Sequence, residues 1–113
     1  MQNLVLITSV IRNPKKSFYL SEEQRLEQTI KSVTTAKERI PNPYLIVLEG
    51  GPRVENDEKL LKEAGANEVI YFDVSSYLKD NGEIQMLKSF FKLERLNEFK
   101  EKYSTLSKMS GRW

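Results

Sequence analysis

Apolar positions along the chain follow two rhythms. Leu4-Val5-Leu6-Ile7 and Tyr44-Leu45-Ile46-Val47-Leu48 are unbroken apolar runs of strand length. A strand with one face in water alternates polar and apolar positions, so an unbroken run predicts a strand covered on both faces. Between the two runs Leu26, Ile30, Val33, Ala36 and Ile40 recur at steps of three and four, the spacing of a helix with one buried stripe. Ser21 followed by Gln24 predicts a capping box at its start, and Pro41-Asn42-Pro43 predicts its end. Leu60, Leu61 and Ala64, closed by Gly65, predict a second, shorter helix, and Glu68 to Phe72 a third strand.

Further along, Ile84, Leu87, Phe90 and Phe91, then Leu96, Phe99 and Tyr103, predict one broken helix or two. Thr105 to Met109 predicts a short fourth strand, which returns beside the first if the sheet reverses its winding there. Strands alternating with helices at this spacing indicate a parallel sheet with right-handed crossovers. The expected fold class is therefore α/β: a single minimal Rossmann-like domain over residues 1–113, with a mostly parallel sheet of about four strands flanked by helices.

Composition narrows the chemistry. The chain has 18 basic and 16 acidic residues, a net charge of +2, and no basic stripe interleaved with aromatics, so nucleic acid is not the expected partner. It contains neither cysteine nor histidine. That removes disulfides, thiolate nucleophiles, the usual zinc ligands and imidazole acid/base work. Carboxylates, lysines, arginines, hydroxyls and backbone amides are left. There is no secretory leader pattern, and no apolar run approaches the roughly 20 residues that cross a bilayer, so a cytoplasmic protein without a membrane span is expected.

Open α/β sheets bind ligands outside the carboxyl ends of their strands, where the winding reverses. The first such end carries Thr8-Ser9-Val10-Ile11-Arg12, either hydroxyls and amides that hold a base or ribose, or a strand running into a polar loop. The second carries Glu49-Gly50-Gly51, either a carboxylate accepting from a ribose hydroxyl or base N–H with glycines leaving room for the ligand, or a tight turn before Pro52. Neither G-x-G-x-x-G nor the P-loop ending is present. Asp73, after the third strand, meets a ligand or caps the turn at Ser75-Ser76. Asn81-Gly82-Glu83 starts a helix whose amide end is either an ordinary cap or an anion site.

The tail Lys108-Met109-Ser110-Gly111-Arg112-Trp113 stands apart. Chain ends are usually polar and poorly ordered, whereas this one combines two cations, a hydroxyl, a glycine and an indole. Glycine admits a close backbone approach, and lysine and arginine supply donors for an anionic phosphate.

Thr8-Ser9 after an apolar strand, the acidic-glycine turn at Glu49-Gly50, the Asn81-Gly82-Glu83 helix start and above all Lys108-x-Ser110-Gly111-Arg112-aromatic together resemble small GT-A-like glycosyltransferases of phages and large DNA viruses. The resemblance spans essentially the whole chain and corresponds to the nucleotide-sugar-binding half of such enzymes, so the acceptor half is expected to be absent. It implies a nucleotide-sugar donor, most often a UDP-sugar. Thr8, Ser9 and Arg12 would line the nucleoside side, Glu49 and Gly50 would meet base or ribose, and Lys108, Ser110, Gly111 and Arg112 would meet the diphosphate. Asp73 and Glu83 are the candidate bases for an inverting transfer to a hydroxyl acceptor. The family's Asp-x-Asp metal motif does not occur in this chain, so Mg or Mn is not required by the sequence and basic side chains are expected to carry much of the neutralising charge. Two other readings stand beside the enzyme: a nucleotide-binding module without catalysis, and an interaction domain with Trp113 as a docking anchor. A homodimer would cover the apolar surface that so thin a layer leaves.

Overall fold

The computed structural model describes residues 2–12, 21–72 and 103–110. Its elements are β1 (Gln2–Ser9), α1 (Glu22–Arg39), β2 (Pro43–Glu49), α2 (Glu55–Ala64), β3 (Glu68–Tyr71) and β4 (Tyr103–Ser110). The strands form one four-stranded sheet in the order β3-β2-β1-β4. Every pairing is parallel. The expected α/β class and the return of a fourth strand beside the first are both found. β4 is longer than its apolar residues suggested, because backbone pairing to β1 continues from Tyr103 to Ser110.

The unbroken apolar runs do line two buried faces. Val5, Ile7, Leu45 and Val47 pack with Leu26, Val33 and Ala36 of α1 and Leu61 of α2, so both described helices lie on one side of the sheet. Leu4, Leu6, Ile46 and Leu48 form a second buried cluster on the other side. Burying such side chains stabilises a fold by about 1.5 to 3 kcal/mol each, which is why these runs fix the strand positions.

Local chemistry sets the boundaries. The Ser21 side chain accepts from the Gln24 amide while the Gln24 side chain accepts from the Ser21 amide, completing the capping box. Asn42, between Pro41 and Pro43, turns the chain out of α1 in a left-handed conformation (φ 47°), which asparagine tolerates better than most residues. Gly65 ends α2 at φ 132°, where a Cβ would be strained. Among the described residues, no helix is long and apolar enough to cross a membrane.

The expected helices over Ile84 to Phe99 lie outside the described residues, as do Asp73, Glu83, Gly111, Arg112 and Trp113, whereas Tyr103, grouped with those helices in sequence, instead opens β4 by pairing with Gln2.

Candidate functional site

The parallel register brings the carboxyl ends of three strands together. Ser9 is in register with Glu49 across β1 and β2, and Glu49 with Tyr71 across β2 and β3. On the opposite side of β1, Ser110 pairs with Thr8 and Lys108 with Leu6. The tail motif therefore begins on a strand that lies against the first one. Between β1 and β4 the order of strands reverses direction, the place where open α/β sheets bind ligands.

Glu49 organises this end of the sheet. The residue is 2% exposed. One oxygen accepts from the Ser9 hydroxyl at 2.6 Å, and the other from the amides of Ile11 and Gly51, each at 2.9 Å. Burial pushes its carboxyl above the ordinary glutamate range, against the pull of those three donors. The adjoining backbone closes the same corner: Gly50 donates to the Ser9 carbonyl at 2.8 Å, and Phe72 to the Glu49 carbonyl at 2.7 Å. The glycines were expected to leave space. At Gly51 that space is filled by the Arg12 carbonyl, so a Cβ there would collide with backbone.

Thr8, Ser9 and Gly50 are buried as well. The Glu49 carboxylate thus holds the exit of β1 against the exit of β2, a third role beside the ligand acceptor and the simple turn.

Arg12 is engaged with carboxylates. Its Nε donates to Asp57 Oδ2 and its Nη2 to Asp57 Oδ1, both at 3.0 Å. Nη1 meets Glu23 at 2.9 Å and Glu22 at 3.2 Å. The Asp57 hydrogen bonds hold the guanidinium protonated far above the ordinary arginine range. Asp57 is 3% exposed, so it needs a cationic partner. Arg25, itself buried, donates through Nε to the Ile11 carbonyl at 2.9 Å.

Asp57 and Arg25 were not singled out by the sequence, because a charged residue in an amphipathic helix usually belongs to its solvated face. The only signals were position: Asp57 in the first turn of α2, and Arg25 next to the apolar stripe that starts at Leu26.

Tyr71 adds a polar atom to this region. Its hydroxyl is buried and has no hydrogen-bond partner among the described residues. Burial, reinforced by the charges of Glu58, Glu49 and Asp57, pushes its pKa up to about 12. Among the described residues, no group of three or more acidic side chains is arranged to hold a metal ion.

Comparison with protein-family models, curated proteins and solved structures finds no match.

Proposed function

We propose that the chain binds a nucleotide diphosphate sugar across the carboxyl ends of β1, β2 and β4, in a GT-A-like arrangement, and transfers its glycosyl group to a hydroxyl acceptor. One observation carries the reading: β4, which opens the Lys108-x-Ser110-Gly111-Arg112 motif, lies parallel to β1 with Ser110 in register with Thr8, at the reversal of strand order. A phosphate-binding sequence read from residue types alone is thereby supported by its position in the sheet.

In this reading Lys108, Ser110, Gly111 and Arg112 serve the diphosphate and Thr8 the nucleoside side, while Ser9 holds Glu49 in place. Glu49, Gly50 and Arg12 shape the mouth through the contacts described above. Transfer breaks the bond between the anomeric carbon and the diphosphate oxygen and forms one to the acceptor oxygen. The acceptor's proton passes to a base, for which Asp73 and Glu83 are the proposed carboxylates. Negative charge grows on the departing diphosphate, and cationic side chains fixed beside it stabilise that charge. A UDP-sugar is the proposed donor. Among the described residues no group of three acidic side chains is placed to hold a metal ion, and no step is assigned to one.

The test is incubation of the purified chain with a panel of UDP-, GDP- and dTDP-sugars, following release of nucleoside diphosphate. Donor hydrolysis, even when slow, supports transfer. Tight binding without turnover would leave a nucleotide-binding module, and absence of binding would end the reading.

A further inference from the structure

Four contacts converge on Ile11 and Arg12, just past the end of β1. The Ile11 amide is taken by Glu49 and the Ile11 carbonyl by Arg25, each at 2.9 Å. The Arg12 carbonyl rests against Gly51. The fourth contact comes from α2: the Arg12 guanidinium lies edge to edge with Asp57, in two hydrogen bonds of 3.0 Å.

This fork has a geometry that a single point contact lacks, because two parallel bonds fix direction as well as distance. The remaining partners of Arg12 are weaker constraints. The Glu22 side chain is 41% exposed and that of Glu23 72%, whereas that of Asp57 is 5% exposed. Exposed pairs exchange with water and contribute little, while a buried carboxylate without its cation is strongly disfavoured. Asp57 is thus the partner that decides where Arg12 stays.

We infer that Asp57 is a positioning residue of the nucleotide site. Acting through the Arg12 fork, it fixes the exit of β1 at Ile11 and Arg12 before ligand arrives, and so raises affinity without touching the nucleotide. The inference rests on the nucleotide-binding reading given above. Its physical basis is preorganisation: a strand exit already held in its bound arrangement does not have to be ordered on binding.

Calorimetric titration with UDP, on variants whose circular dichroism shows them folded at the working temperature, tests it. Asp57→Asn keeps the shape of the side chain but loses the charge, and UDP affinity should fall about tenfold. Because the effect of Asp57 on UDP runs through Arg12, the double variant Asp57→Asn with Arg12→Gln should bind UDP within about twofold of the weaker single variant. Should Asp57→Asn fail to fold, Asp57→Glu retains the charge and displaces the fork, with the same direction of change expected. A lowered melting temperature with unchanged UDP affinity would overturn the inference, as would additive losses in the double variant. If the unaltered chain binds no UDP at millimolar concentration, the nucleotide reading and this inference fall together. If it binds, and Lys108→Ala weakens binding while the Asp57 variants do not, only this inference falls.

Discussion

Ser9 and Glu49 meet side chain to side chain at 2.6 Å, although 40 positions separate them in sequence. They are neighbours in register at the ends of β1 and β2. A serine hydroxyl can donate to a carboxylate or accept from a carboxyl group, so this pair can persist in both protonation states of Glu49.

The first prediction concerns pH. Burial raises the Glu49 carboxyl above its ordinary value of 4.5 in the folded chain. Between the unfolded and folded pKa values, the folded chain holds a proton that the unfolded chain has released. The stability contributed is fully present below the unfolded value and is lost as pH rises through the folded one. Urea unfolding across this interval should show the native chain losing stability with pH relative to Glu49→Gln. The difference should steepen to no more than about 1.4 kcal/mol per pH unit. A flat difference would show that the three donors balance burial, and one of opposite slope that they outweigh it.

Gly51→Ala places a methyl group against the Arg12 carbonyl, on a residue held through the Ile11 amide before it and through its own guanidinium. Backbone cannot yield as a flexible side chain does, so the substitution should cost about 1 to 3 kcal/mol in denaturant unfolding. A neutral effect would mean that the Ile11–Arg12 segment moves freely, contrary to the account of the strand exit.

Tyr71→Phe removes a buried hydroxyl that has no hydrogen-bond partner among the described residues. Losing an unsatisfied polar atom should leave stability unchanged or raise it by about 1 kcal/mol in thermal unfolding. A loss of that size or more would reveal a partner for the hydroxyl in the folded chain.

The parts of the fold legible in sequence were those written in local patterns. Continuous apolar runs marked β1 and β2, the Ser21 and Gln24 pair marked the start of α1, and Gly65 marked the end of α2. The return of β4 was readable because a short apolar segment following one of helical apolar spacing has few other places to pair in a parallel sheet. The site was only partly legible. Thr8, Ser9, Glu49 and Gly50 do meet at the strand ends, and Ser110 joins them in register. The roles of Asp57 and Arg25 were not legible, since the Arg12–Asp57 pair spans 45 positions and no local period encodes it. The commitment of Glu49 to Ile11 and Gly51 likewise depends on how the chain turns after each strand.

Chelation provides a further check. Without an Asp-x-Asp motif, and with basic residues in the tail, UDP affinity should change less than about tenfold between EDTA and millimolar magnesium or manganese. A greater loss in EDTA would require carboxylates assembled around a cation, and would shift the neutralising role away from Lys108 and Arg112.

The most direct measurement compares uridine with UDP, titrated into the unaltered chain and into Lys108→Ala and Arg112→Ala. If the motif that begins on β4 neutralises a diphosphate, UDP should bind at least about 200-fold tighter than uridine, and Arg112→Ala should reduce that advantage by about 1.5 to 3 kcal/mol. Equal affinities for uridine and UDP, or an advantage untouched by both substitutions, would contradict a phosphate site beside β1.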